Sequence, residues 1–156
     1  FSKVGSLPEL NHQDLIRVAQ QTISYLQKRT SSKVEFTTSW PAEPILLKLN
    51  EQLLSWTLEN LIKNGIDAMK GKGKLQVSIG LKGDQAEILV SDTGAGISRE
   101  NSSKIFNPGF STKKRGWGLG LSLAKRIVVD YHKGKISIKK TVLGKGTEIQ
   151  ILLPKK

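Results

Sequence analysis

Apolar residues recur along this chain with two different periods, and the change from one to the other marks its elements. Leu15, Val18, Ala19, Ile23 and Leu26 fall at helical spacing with Gln and Lys on the opposite side, which predicts a helix over 8–30. Residues 33–39, KVEFTTS, alternate as a strand does, and WPAEP at 40–44 breaks the pattern with two prolines. The short run Ile45-Leu46-Leu47 suits another strand. Asn50 is a good helix N-cap with Glu51 in the first turn, and the stripe Leu54, Leu58, Leu61, Ile62 carries that helix to about Met69. KGKGK at 70–74 ends it.

Two strands follow near 75–82 and 86–91 across a KGDQ turn, then DTGAGI at 92–97 and a short helix at 98–104. Residues 107–118, rich in Gly, Pro and Lys, read as a mobile loop. A helix from about Gly118 to His132 leads into strands at 135–142 and 146–153 around an LGKG turn. This order predicts an α+β two-layer sandwich, a mixed and mostly antiparallel sheet with helices on one face.

Composition narrows the chemistry. A chain of 156 residues is the size of one domain, and it holds no cysteine, so disulfides, thiol nucleophiles and zinc thiolate sites are excluded. No apolar run approaches the roughly 18 residues of a membrane span. The first ten residues lack the order of a signal peptide and read as the remnant of a linker, with residues 11–156 as the domain proper. The formal net charge of +12 fits three partners: nucleic acid, a polyanionic small ligand, or an acidic protein. Between Lys104 and Arg126 every charged residue is basic, a run that a solvated surface explains as well as a phosphate site does.

Three segments carry candidate chemistry. Asn60 and Asn64 stand four residues apart on one helix face within LENLIKNGIDAM, either as satisfied core amides or as amides aimed into a site. An amide oxygen is a hard ligand of the kind Mg²⁺ takes. Gly65 lies mid-helix at a cost of roughly 0.5–1 kcal/mol relative to Ala, which close approach of another group to the backbone would explain. Asp92 emerges at the end of an apolar strand ahead of Gly94 and Gly96, as an ordinary Asp-Gly turn or as an acceptor for the exocyclic amine of a purine. Gly116, Gly118 and Gly120 run directly into an amphipathic helix, where backbone N–H groups meet an anion readily. Neither a Rossmann fingerprint nor a Walker motif is present.

Taken in order, NLIKN, DTGAGI, IFNPGFSTK and GWGLGL resemble the N, G1, F and G2 boxes of the catalytic and ATP-binding domain of sensor histidine kinases. That domain belongs to a wider ATPase group with gyrase, Hsp90 and MutL, and the resemblance covers about residues 30–154. It implies a Bergerat-type ATP-binding fold, ATP (with ADP as product) and Mg²⁺ as ligands, and cytoplasmic placement of this part of the chain. It further implies that Asn64 coordinates Mg²⁺, that Asn60 supports the phosphate–metal site, and that Lys63 reaches a phosphate. Asp92 bonds the adenine amine, Gly94, Gly96 and Ile97 shape that wall, and Thr147 assists base recognition. Ser111, Thr112 and Lys113 are lid residues near the γ-phosphate. Gly116, Gly118, Leu119, Gly120 and Leu121 form the loop and helix start that wrap the phosphates. Phe106 and Phe110 resemble packing aromatics. Two positions depart from the pattern: Trp117 stands where a small residue is usual, and Gly65 replaces the more usual Ala.

The resemblance also separates transfer from hydrolysis. Gyrase-type ATPases carry a Glu four residues before the metal-binding Asn, whereas this chain has Asn60, which is no base at neutral pH. Glu59 is the neighbour, about 100° around the helix. The implied activity is protein histidine kinase, donating the γ-phosphoryl group to a histidine on a separate dimerisation domain, with a response regulator downstream. His12 lacks the acceptor context and His132 reads as a helix-end cap, so this chain alone is expected to be a monomer that does not autophosphorylate. An anti-sigma-like serine kinase module is the alternative, set aside because such modules commonly keep an acidic residue where Asn60 stands. Binding of nucleic acid rests on charge alone, and the expectation is for neither nucleic-acid nor membrane contact.

Overall fold

The computed structural model describes residues 8–108 and 120–155. In chain order the elements are β1 (Asn11–Asp14), α1 (Leu15–Arg29), β2 (Val34–Ser39), β3 (Leu46–Leu49), α2 (Glu51–Ala68), β4 (Gly73–Lys82), β5 (Gln85–Asp92) and α3 (Arg99–Ser102). Then come α4 (Gly120–Lys125), continued as a π-helical stretch over Arg126–Tyr131, and the strands β6 (Lys135–Val142) and β7 (Gly146–Pro154). Five strands form the main sheet in the order β2-β4-β5-β7-β6. Only the β2–β4 pair is parallel; the others are antiparallel.

The sheet follows directly from alternation. Along β5, Ala86, Ile88 and Val90 are buried, and along β7, Thr147, Ile149, Ile151 and Leu153 are buried. Their neighbours turn to the other face, where Ser91 donates to Glu148 at 2.6 Å and Lys139 lies 3.6 Å from Glu87. A period of two thus gives one apolar face, and the helices cover it.

α2 is the central helix. Asn50 caps it by accepting the Leu53 N–H at 3.0 Å. Leu54, Leu58, Leu61 and Ile62 are almost fully enclosed; each is worth about 1.5–3 kcal/mol relative to exposure. The helix packs on α1, on β4 and β5, and on α4, and its remaining flank faces a cleft.

Two expectations are corrected here. The first helix starts at Leu15 rather than at residue 8, because residues 11–14 pair with β3 as a two-stranded antiparallel sheet. Asp14 Oδ1 accepts from both Ile16 N (3.0 Å) and Ile45 N (3.1 Å), capping α1 and tying it to the chain before β3. The helix expected to end near His132 does so, but its last part widens: the His132 N–H reaches the Ile127 carbonyl at 3.1 Å, five residues back. The loop over 107–118 lies almost wholly outside the described residues.

His132 is buried and fully engaged. Its Nδ1 lies 2.9 Å from the Ile127 carbonyl and its Nε2 accepts the Asn50 N–H at 3.0 Å. Those partners assign the neutral ring with the proton on Nδ1, and burial lowers the pKa, the Ile127 bond opposing. The ring joins the end of the helix that follows the glycine-rich segment to the start of α2.

Candidate functional site

A cleft of about 850 Å³ opens along the free flank of α2. Asn60, Asn64 and Asp67 line its floor from successive turns of that helix, while Lys63, Glu59 and Trp56 stand along one side. Asp92, at the last position of β5, and Thr147, paired opposite it on β7, form the far wall. Gly96, Ile97, Ser98 and Asn101 close one edge, Leu121 of α4 another, and Leu143 projects from the tip of the β6–β7 hairpin. The cleft therefore brings together Asn60, Lys63, Asn64, Asp92, Gly96, Ile97, Leu121 and Thr147 of the residues expected from sequence.

Gly94 acts from beneath the cleft rather than in its lining. A Cβ there would sit 2.6 Å from the Ala68 carbonyl carbon, so glycine lets the loop pass under the end of α2. The Ala95 N–H then donates to Ala68 O at 3.1 Å, and Ala95 O accepts from Gly144 N at 2.7 Å, clasping the loop between α2 and the last hairpin. Gly96 has a φ of 77° and would place a Cβ 2.4 Å from Val142 O. We expect Gly96→Ala to cost on the order of 1–3 kcal/mol of stability through backbone strain and that clash. Thermal unfolding measures the cost, and faster amide exchange at Ala95 and Gly144 locates it.

Gly65 is explained by the same means. A Cβ on it would lie 2.9 Å from Leu75 Cδ1 and 3.2 Å from Asp92 Cβ. The groups that approach the helix backbone are thus side chains of β4 and β5, and the glycine seats Leu75 and Asp92 against α2.

The electrostatics differ at the two ends. Asp92 Oδ1 accepts the Gly94 N–H at 2.8 Å. Burial raises the Asp92 pKa above its ordinary value, with the Gly94 and Thr147 backbone amides pulling it partly back. At the other end the exposed Lys63 Nζ lies 2.8 Å from Oε1 of the partly buried Glu59, so its reach to an anion involves exchanging that partner. Glu59 was expected to point away from the site. It lines the cleft instead, because the carboxylate swings to Lys63, one turn on. Asn60 Nδ2 is buried and has no hydrogen-bond partner among the described residues. An orphaned buried donor costs about 1–3 kcal/mol and marks a place where a ligand acceptor belongs.

Ser111, Thr112, Lys113, Gly116, Gly118 and Leu119 lie outside the described residues; Gly120 is the first residue of α4. Asp67 was missed although its signal was legible: it stands three residues after Asn64 and seven after Asn60, on the same helical face. Trp56 was equally legible one turn before Asn60. Ser98 is the N-cap and Asn101 a member of a four-residue helix too short to show a face, and Leu143 comes from a hairpin tip.

Residues 49–156 match the family model described as histidine kinase-, DNA gyrase B- and HSP90-like ATPase. The chain belongs to this ATPase family. Among curated relatives, it is 41% identical over 112 residues to Sporulation kinase D of Bacillus subtilis (strain 168), covering 72% of this chain and 22% of the relative. It is 30% identical over 139 residues to Signal transduction histidine-protein kinase AtoS of Escherichia coli (strain K12), covering 88% of this chain and 22% of the relative. A solved catalytic domain of the histidine kinase ThkA superposes with a TM-score of 0.85 at 26% identity, over 94% of this chain and 96% of that one. The expected α+β fold is therefore that of a histidine-kinase catalytic domain within the ATPase family, and an ATP-type nucleotide is the family's ligand. The chain spans 22% of the length of each of these two curated relatives. Among the described residues no helix is long and apolar enough to cross a membrane.

Proposed function

We propose that residues 11–156 bind Mg-ATP and donate its γ-phosphoryl group to a histidine on a separate dimerisation domain, as part of a two-component sensor kinase that passes the group to a response regulator. The observation that carries this reading is the cleft itself: the Asp92 acceptor at one end and the unpartnered Asn60 amide at the other are joined by one face of α2.

Adenine fits the Asp92 end, since its exocyclic amine offers hydrogen to the carboxylate while the apolar Val90 and Ile149 line the pocket beside it. The phosphates fit the Asn60–Lys63–Asn64 end. Amide and ammonium donors there meet anionic oxygens, and the donor set suits magnesium. Among the described residues no group of three His, Asp or Glu converges on a metal, so the ion would take the Asn64 amide oxygen plus phosphate oxygens and waters. When bound, Mg²⁺ neutralises phosphate charge and orients the terminal group. The protein's own share is to hold the base and to fix the phosphate chain along α2, consistent with phosphoryl transfer governed by positioning and charge.

Transfer rather than hydrolysis is supported by Asn60, whose amide cannot take a proton from water. The acceptor is assigned outside this chain because neither histidine suits the role. His132 has both ring nitrogens engaged, and His12 sits in β1 opposite Lys48.

Titration calorimetry with ATP, ADP and GTP, with and without magnesium, tests the reading. We expect ATP and ADP to bind, GTP to bind far more weakly, and magnesium to strengthen ATP binding. Asn64→Ala should abolish most of that strengthening, about a tenfold effect, while leaving binding without magnesium near the wild-type level. An unchanged magnesium dependence in this variant would remove Asn64 from the metal role.

A further inference from the structure

Asp92, Thr147 and Thr141 stand in one row across three strands. Thr147 pairs with Asp92 on one side and, past a register shift between Ile138 and Lys140, with Thr141 on the other. Two residues beyond that row lies Leu143, in the turn between β6 and β7. At about 3.3 Å per residue, the leucine stands roughly 7 Å along the hairpin from the row that holds Asp92. The tip is laced to the loop after β5 at two points. Gly144 N donates to Ala95 O at 2.7 Å, and Ile97 N donates to Thr141 Oγ1 at 2.9 Å. A Cβ on Gly96 would come within 2.9 Å of Leu143 Cα, so the two backbones are in contact. Leu143 is therefore carried on a fixed rim of the cleft.

The turn itself does not call for leucine. Lys145 N closes it on Val142 O at 2.9 Å, and its left-handed residue, with a φ of 79°, is Gly144. The position that Leu143 takes accepts most residues, polar ones included. Yet this side chain is apolar, is 65% exposed and lines the cleft. A single exposed leucine is ordinary on a protein surface. One anchored at the mouth of a ligand cleft loses its water when an apolar part of the ligand enters, and that loss favours binding.

Asp92 alone does not select adenine. Cytosine offers a carboxylate the same edge, an exocyclic amine beside a ring nitrogen that accepts. The two bases differ in size, because a purine carries a second ring beyond the one that bears the amine. We propose that Leu143 is a specificity-determining residue that separates purine from pyrimidine: its side chain covers the second ring of adenine, which cytosine lacks. Asp92 then rejects guanine by polarity, and Leu143 disfavours cytosine by leaving its own apolar surface wet. This rests on the reading that Asp92 faces the adenine amine.

Two measurements test the proposal. Calorimetry with ATP, GTP and CTP compares the wild type with Leu143→Ala and Leu143→Met. We expect Leu143→Ala to weaken ATP about fivefold and to leave CTP nearly unchanged, so that the preference for ATP over CTP falls by the same factor, while Leu143→Met retains it. Both variants should melt as the wild type does, since the side chain is exposed in the nucleotide-free protein. The second measurement uses the absence of cysteine from the chain: Leu143→Cys introduces a single thiol. Saturating adenosine should slow its alkylation by iodoacetamide, and tripolyphosphate, which has no base, should not. Equal weakening of ATP and CTP in Leu143→Ala overturns the proposal, as does an ATP affinity that this substitution leaves unchanged. A thiol that bound adenosine does not shield also overturns it. If CTP binds too weakly to measure, the ATP loss and the shielding decide. A wild type that prefers ATP to GTP but binds CTP as tightly as ATP overturns the Leu143 proposal alone. A wild type that binds GTP as tightly as ATP overturns the Asp92 reading and this proposal together.

Discussion

Replacing Asp92 by Asn should weaken ATP binding roughly 10- to 100-fold and at the same time make the nucleotide-free protein harder to melt. The binding loss follows from removing a charged acceptor facing the adenine amine, since hydrogen bonds to charged groups are worth about 1.5–3 kcal/mol. GTP should lose much less, because its exocyclic oxygen gains nothing from a carboxylate. Equal losses for ATP and GTP would count against the assignment. The stability gain follows from linkage. Burial raises the folded-state pKa of Asp92, so the stability tied to this group is complete below the ordinary value of 3.8 and is lost as pH rises through the raised one. At neutral pH the ionised, half-buried carboxylate is therefore a net cost to the fold. A neutral amide of the same shape removes that cost and can still accept from the Gly94 N–H. Melting curves should place the variant above the wild type at pH 7, with the gap closing toward pH 3. A variant that melts lower at pH 7 would refute the linkage.

Much of this site could be read before any coordinates, for identifiable reasons. α2 was legible because cap, apolar stripe and asparagine pair all lie within one local segment, and local periodicity is what a sequence displays. Asp92 was legible because an apolar alternating run ends on it and two glycines follow. β1 was not, because NHQD has no period of its own; it is a strand only through pairing with β3, more than thirty residues on. The register shift that brings Thr141 to Thr147 is invisible for the same reason, being a property of two strands together. Glu59 was misplaced because helical geometry fixes the direction of a Cβ and not the end of a long side chain drawn to Lys63. Gly65 was noticed as an anomaly, but only the fold names what approaches it.

Asn60→Leu should produce the sharpest separation of stability from function in the molecule. Asn60 Nδ2 is buried without a partner among the described residues, so the nucleotide-free protein carries an unsatisfied donor on the floor of its cleft. An apolar side chain of similar size removes that penalty, and the open cleft beside it gives the extra methyl groups room; a gain of about 1 kcal/mol in unfolding free energy is expected. Nucleotide binding should move the other way by about 3 kcal/mol, near 100-fold, because the same position then offers hydrocarbon to an anionic phosphate chain. The loss should be greatest for ATP, smaller for ADP and least for adenosine, if the amide serves the phosphate end rather than the base. That ordering separates a ligand role from a packing role: a side chain that merely supported α2 would affect all three alike and would lower the melting temperature. Asp92 and Asn60 thus stand at opposite ends of one helix flank as two polar groups whose burial disfavours the empty fold. Filling the cleft is what relieves both, and ATP should therefore raise the melting temperature of the wild type by more than that of either variant.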